Sequence, residues 1–334
     1  MNLVSIIIPT YNSLSFLKES LFSAINQTYL AKEIIVIDDG SNDGTSEYFS
    51  SLKIQNLYYY KIENKGACHA RNFGFNKSKG KYIQFLDADD VLSPDKISEQ
   101  VQILDENPDY IAVCRTFHFN WDINDGKNSD INFLFSTEFP HEFLLNLYGG
   151  NGVETNMISP NAWLTPRNLI ENAGPWNENL IKDQDGEFFC RVVMASNGVL
   201  FEPNGINYYR RLNNGQNISS GNTKEHFKSQ LIALTSKKEQ LSTFCNDSAF
   251  KKAFAIQYKL IAIDSYPKYK DISKKTLQLS QRMSKTEYLP ILGGKSIEFI
   301  KKYFGWKMAK LISHFIHTNY IFKCFLYLRS NIKS

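Results

Sequence analysis

The chain has 334 residues, enough for one large domain or two of ordinary size. Hydrophobic residues make up 43% and charged residues 22%, an ordinary balance for a soluble globular protein with a sizeable core. The net charge of +4 is too small to argue for a nucleic-acid partner, and the five scattered cysteines, with no CxxC pair and no zinc spacing, read as reduced cytosolic thiols.

The N-terminus, MNLVSIIIPTYN, has no positive leader and no long apolar core, so it is not read as a signal peptide. VSIIIP, residues 4 to 9, is a short apolar run that predicts a strand buried on both faces, as in a parallel sheet. A helix follows, with Leu17, Leu21 and Ile25 at four-residue spacing. EIIVIDD (33–39) and LYYYKIE (57–63) predict the second and third strands. A helix around ACHARNFGFNKS leads to a fourth strand, KYIQFLD. The next helix is expected to start with Ser93 as cap, Pro94 at its first position and Asp95 just inside. It leads to a fifth strand, YIAVCRTFHF. Residues 120 to 160 are irregular. TPRNLIENAG predicts a short helix with Thr165 as cap, Pro166 first and Gly174 at its end. QDGEFFCRVVMASNG predicts another, with Phe188, Phe189, Val192 and Val193 on its apolar face and Gly198 as its stop. After about residue 215 the pattern is mostly helical. Strands alternating with helices give an α/β fold with a mainly parallel central sheet, followed by a C-terminal helical region.

In such sheets ligands bind at the carboxyl ends of the strands. Three predicted strands end in polar clusters: Thr10-Tyr11-Asn12, Asp38-Asp39 and Asp87-Ala88-Asp89. Carboxylates as close as Asp87, Asp89 and Asp90 repel one another unless a positive charge sits among them. A divalent Mg or Mn ion suits such a strand end, because it takes few protein carboxylates and completes its shell with water and phosphate oxygens. Asp38 and Asp39 can accept hydrogen bonds from a base or ribose, Arg71 can reach a pyrophosphate or base, and Tyr11 can stack on a base. Spacing alone fixes none of these roles.

VSIIIPTYN, a helix ending in NQTY, then EIIVIDDGSNDGT, GACHARNFG and YIQFLDADD, in this order, resemble the inverting glycosyltransferases of family 2, which have the GT-A-type fold. The resemblance covers about residues 3 to 215. It implies a catalytic domain over residues 1–215 and leaves a helical region over 216–334. By the same resemblance Pro9, Thr10, Tyr11, Asn12, Asp39, Arg71 and Ala88 would border the nucleotide, with Asp38 in support. Asp87 would face the ribose, and Asp89 would hold Mn or Mg on the diphosphate. Asp90 would serve the following turn. The implied donor is a nucleotide-diphospho-sugar, a UDP-sugar foremost, and the implied acceptor is a glycan or lipid-linked glycan precursor of the bacterial cell surface.

The family also needs a general base, set in a pattern of Glu-Asp, a second acid two positions on, an aromatic face and an Arg. KDQDGEFFCR offers two aspartates. Setting Arg191 six residues after the base selects Asp185, with Glu187 as the second acid; Asp183 is the rival. The first member of the pair is then Gln184, a departure from Glu. PNAWLTPRNLIENAGPWNENL resembles the segment before the base, so Trp163 and Trp176 either stack on acceptor sugars or belong to the core. INYYRR resembles the strand after it, where Tyr209 and Arg210 would close the site. The processive relatives carry transmembrane helices and a QxxRW signature, and YYRRL is not that signature, so transfer of a single sugar is expected.

Other classes fit less well. No GxGxxG follows the first strand, as a dinucleotide enzyme would require, and no P-loop is present. Aspartate-based phosphoryl transfer lacks an aspartate after the first strand. A sugar-nucleotide binder without activity would not need both Asp89 and an acid at 185. From Pro290 onward seven lysines and Arg329 face a single acid, Glu298, among many aromatic residues. That mixture suits a helix lying in the headgroups of an anionic membrane, with the protein cytoplasmic or peripheral at the inner face. The same residues also suit helices packed on the catalytic domain with their lysines in solvent.

Overall fold

The computed structural model describes residues 1–129, 131–152, 154–211 and 221–318. Its strands are β1 (Val4–Thr10), β2 (Lys32–Asp38), β3 (Leu57–Lys61), β4 (Tyr82–Phe85), β5 (Val91–Leu92), β6 (Ile111–Phe119), β7 (Lys127–Asn128), β8 (Trp163–Pro166) and β9 (Val199–Arg210). The helices of the first two-thirds are α1 (Leu14–Ile25), α2 (Thr45–Ser50), α3 (Ala67–Lys77), α4 (Lys96–Glu106), α5 (Pro140–Leu147), α6 (Arg167–Ala173) and α7 (Gln184–Met194). Four more follow: α8 (Lys224–Ser242), α9 (Ser248–Ser265), α10 (Lys270–Met283) and α11 (Lys295–Thr318).

The sheet runs β3-β2-β1-β4-β8-β6-β9-β5, with β7 beside β6. Its first four strands are parallel, and β1 is buried almost throughout because it lies in the middle of them. Register fixes where they end. Thr10 pairs with Asp38, and Ile7 pairs with Phe85, so the carboxyl ends of β1, β2 and β4 reach one rim of the sheet together. The second half is mixed. β8 is antiparallel to both β4 and β6, while β9 runs parallel to β6. The fifth predicted strand therefore joins the sheet through β8, an insertion that local apolar pattern does not reveal.

Three helix boundaries differ from expectation, the first two through a tertiary partner. α4 begins at Lys96, because the chain before it forms β5 against β9, and Ser93 Oγ accepts from the Ile206 amide at 2.9 Å instead of capping. Thr165 and Pro166 end β8, so α6 starts one residue later, although Gly174 closes it with φ +83° as predicted. α7 ends at Met194, four residues before Gly198. β9 is also longer than INYYRR and begins at Val199.

The helices after residue 220 are joined to the sheet domain through a shared core. Phe227 and Leu234 of α8 and Phe250 and Phe254 of α9 belong to the same buried cluster as Phe188 and Phe189 of α7. The expected division at 215/216 lies outside the described residues. α11 is the outlier: Gly305, at φ +80°, breaks it into two helical pieces, and it meets α9 where Lys310 Nζ lies 3.7 Å from Asp264 Oδ1.

Candidate active site

The strand ends build a polar rim. Asp38 is fully buried at the end of β2, where Oδ1 accepts from the Ser41 amide at 2.7 Å and Oδ2 accepts from the Tyr59 hydroxyl. Burial and that bond push the Tyr59 hydroxyl up to about 12, so it stays a donor. Asp39 accepts from the amides of Lys65 at 2.9 Å and Gly66 at 2.8 Å, tying the loop before α3 to the end of β2. Asn12 lies in the left-handed region at φ +47°, its amide on Ser41 Oγ and its Oδ1 accepting from the Asn42 amide. Thr10 is buried, Ala88 packs in the core, and Pro9 lies in β1, while the Tyr11 ring stands 53% exposed. An exposed ring beside buried carboxylates is a surface on which a flat ligand can lie.

Arg71 of α3 is the centre of charge. Its side chain is 6% exposed, and Nη2 donates to Asp87 Oδ1 at 2.7 Å. Nη1 lies 4.0 Å from Asp185 Oδ1, in ion-pair range but beyond hydrogen bonding. The guanidinium sits over the ring of Trp176, 4.6 Å from its centroid. Nε and Nη1 are buried with no hydrogen-bond partner among the described residues. Desolvation opposes the charge, but Asp87 and Asp185 outweigh it and hold the guanidinium protonated. Unpartnered buried N–H groups on a cation are costly, and an anionic ligand would complete them.

The DADD turn is held from below. Asn161 accepts the Asp87 amide at 2.7 Å and donates to Asp90. Asp90 also accepts the Arg210 amide at 2.7 Å, and the Arg210 side chain donates to the Asp89 carbonyl at 2.8 Å and to Glu19. Burial first, then Asp89 and Asp87, push the Asp90 carboxyl well above the usual range. Asp89 forms no ion pair among the described residues; burial and then Asp87 push it up to about 6. Such a carboxyl gains most from an added cation. One free carboxylate with a second beside it suits Mg or Mn, which fills its remaining positions with water and substrate oxygens. Among the described residues no three acidic, His or Cys side chains form a complete metal cage by themselves.

Asp185 lies in the first turn of α7, facing Arg71. Its side chain is about a third accessible, at 34%, yet it is enclosed deeply enough that desolvation dominates. Burial pushes its carboxyl up to about 6; Arg71 opposes this, and Asp87 and Asp183 add to it. Asp183 takes a left-handed conformation, φ +61°, and pairs with Lys237 of α8 at 2.6 Å. Glu187 is 3% exposed and engages Arg191 through two bonds of 2.9 Å, with Ser236 Oγ on Oε1. Arg191 in turn donates to the carbonyls of Ala173, Gly174 and Pro175.

Residues 5–169 match the model of glycosyl transferase family 2. The N-terminal half of the chain belongs to this family. An uncharacterized glycosyltransferase of Rickettsia typhi is 33% identical over 198 residues, 58% of this chain and 59% of that protein. Glycosyltransferase GlyG of Streptococcus pneumoniae is 33% identical over 128 residues, 37% of this chain and 42% of that protein. The matches thus span less than two-thirds of these relatives. Among solved structures, residues 1–349 of Staphylococcus aureus TarS, crystallised with UDP-GlcNAc, align over 86% of this chain and 94% of that one, with TM-score 0.61 and 16% identity. That likeness shows the fold, which is of GT-A type.

Set against the family motifs, the expected residues divide. Thr10, Asn12, Asp38, Asp39, Arg71, Asp87 and Asp89 lie at or next to one rim, and Asp185 reaches it from α7 through Arg71. Four of the expected residues lie in the core or in structural pairs. Trp163 and Trp176 are each 2% exposed, stacked on Phe189 and Phe188, so neither has a face for a sugar. Arg210, also 2% exposed, is committed to the DADD turn, and Glu187 to Arg191. Asn161 and Lys237 were not singled out by sequence reasoning. The only signal for Asn161 was a polar residue between Pro160 and an apolar run; Lys237 gave none.

Proposed function

We propose that the protein transfers one sugar from a nucleotide-diphospho-sugar to a hydroxyl of a glycan or lipid-linked glycan acceptor, with inversion at the anomeric carbon. The observation that carries this reading is Arg71: a buried guanidinium held between Asp87 and Asp185, with two unpartnered donors, at the rim where β1, β2 and β4 end. A diphosphate satisfies those donors, and Tyr11 and Asp39 suit the base. A UDP-sugar is favoured as donor, since the S. aureus TarS structure holds UDP-GlcNAc.

In this reading Asp185 accepts the proton of the acceptor hydroxyl as that oxygen attacks the anomeric carbon. The bond from that carbon to the diphosphate oxygen breaks on the opposite face. A carboxyl near 6 is ionised at neutral pH yet basic enough to take a proton in the transition state. Asp183 is the weaker candidate because its carboxylate is engaged by Lys237. Asp89, with Asp87 beside it, would hold Mg or Mn, which when bound supplies positive charge to the leaving diphosphate. Arg71 orients that diphosphate.

We also infer contact with an anionic membrane surface at the cytoplasmic face. Phe299, Tyr303, Phe304, Met308, Leu311 and Phe315 of α11 are all exposed, with Lys295, Lys302 and Lys307 among them. Gly305 divides them between the two helical pieces, Phe299, Tyr303 and Phe304 on the first and Met308, Leu311 and Phe315 on the second. Among the described residues no helix is long and apolar enough to cross a membrane. The lysines and Arg329 beyond residue 318 lie outside the described residues.

The reading is tested by incubating the full chain with UDP-, GDP- and dTDP-sugars and Mn, following nucleotide release and the anomeric configuration of any product. Release from at least one donor is expected. Binding without release from any donor, with and without crude glycan acceptor, would leave a binding protein instead.

A further inference from the structure

Tyr209 has a second side. Its neighbour Arg210 turns to the DADD turn, while the Tyr209 ring meets the edge of His118 on β6, centroids 5.5 Å apart. At this pair lies a cavity of about 380 Å3 that shares no lining residue with the Arg71 cluster. One wall is sheet, from Thr116, His118 and Tyr209. The other is the irregular chain, from Ser129, Phe133 and Ile158. Met157, 62% exposed, also lines it, so the cavity opens to solvent.

Two buried polar atoms in this lining, His118 Nδ1 and Ser129 Oγ, have no hydrogen-bond partner among the described residues. Groups of this kind are rare unless a water or ligand meets them. The His118 ring is uncharged at neutral pH, because burial and then Arg211 push it down to about 4. Arg211 brings a guanidinium to the lining, and no carboxylate lines the cavity among the described residues. The chemistry is that of an occupant with hydroxyl or amide groups, which can also accept from Arg211, on one side and an apolar group on the other. The volume lies at the lower end of small-molecule sites, roughly 300–1,000 Å3. Tyr209 links the cavity to the DADD turn through the chain: the amide of the next residue, Arg210, donates to Asp90 Oδ1 at 2.7 Å, and the Arg210 side chain donates to the Asp89 carbonyl at 2.8 Å.

We propose that this cavity is the acceptor subsite and takes one sugar residue carrying an apolar substituent, an acetamido or a 6-deoxy methyl group. Its hydroxyl or amide groups meet His118 and Ser129, and its methyl group meets Phe133 and Ile158. The inference rests on the glycosyltransferase reading. It is a subsite of this chain's own irregular segment, which the family match does not specify.

Saturation-transfer NMR of the full chain with Mg and UDP tests it, using the methyl glycosides of N-acetylglucosamine and rhamnose as probes. At least one glycoside should receive magnetisation, most strongly at its acetyl or C6 methyl protons. Ser129→Phe should abolish that signal and leave UDP affinity, read by calorimetry, within twofold. Should Ser129→Phe fail to fold, Met157→Trp at the mouth carries the same reading. Transfer to neither glycoside, or equal transfer in wild type and variant, overturns the subsite. Failure of the wild type to bind UDP would overturn the glycosyltransferase reading instead, and the glycoside signals would still decide the cavity.

Discussion

Lys237 Nζ donates to Asp183 Oδ2 at 2.6 Å, so a side chain of the C-terminal helices fixes the residue that opens α7. Asp183 is strained at φ +61°, and a Cβ at Gly186 would strike its carboxylate, so the turn leaves little freedom around Asp185. The lysine is 4% exposed and Asp183 23%. Losing one partner of such a pair costs about 3 kcal/mol, the low end for buried pairs because Asp183 is partly exposed. Lys237 is therefore a positioning residue. Lys237→Met should lower kcat on the order of tenfold or more with UDP affinity unchanged. It should also move the acid limb of the pH–rate profile upward, because an uncompensated Asp183 charge makes Asp185 harder to ionise. Adding Asp183→Asn should bring that limb back down. A pH profile unchanged in Lys237→Met would refute the coupling.

Arg71→Ala should weaken UDP binding roughly 10- to 100-fold, the loss of one charge-assisted hydrogen bond at about 1.5–3 kcal/mol. Arg71→Lys should recover little, since a point charge cannot replace the planar fork. Calorimetry at fixed salt measures this. Wild-type affinity in Arg71→Ala would remove the diphosphate from this position.

Asp89→Ala should abolish the part of UDP binding that depends on added Mn and leave the fold intact. Removing one carboxyl from the DADD turn relieves like-charge repulsion when no cation is present. The measurement is UDP affinity with Mn and with chelator. Equal Mn dependence in variant and wild type would sink the assignment of Asp89.

For the base, kcat should fall as pH falls through about 6, because protonating Asp185 removes the proton acceptor. Asp185→Asn should keep nucleotide affinity and lose turnover by a factor on the order of 100 or more. Asp183→Asn should stay active. The reverse pattern, with Asp183→Asn dead and Asp185→Asn active, would transfer the role to Asp183.

Anionic-liposome sedimentation tests α11. The full chain should bind vesicles containing phosphatidylglycerol, and binding should weaken with salt as lysine attraction is screened. A chain ending near Tyr288 should not bind. No binding by the full chain, or equal binding by both, would reject docking.

The sequence by itself determined the parallel half of the sheet and its rim. Continuous apolar runs at β1, β2 and β4 can only be buried strands, and polar residues directly after them must lie where those strands end. Asp38, Asp39, Asp87 and Asp89 follow from that local rule. Tertiary structure decided everything that depends on long-range partners. The apolar pattern of Trp163 and Trp176 could not distinguish core from sugar platform, because only burial against Phe188 and Phe189 separates the two. Arg210 and Glu187 have the composition of site residues, yet hydrogen bonds to distant backbone and to Arg191 commit them to structure. The surroundings of Asp183 and Asp185 differ on the same physical basis: two residues apart on one segment, only Asp183 is reached by Lys237, 54 positions later in the chain.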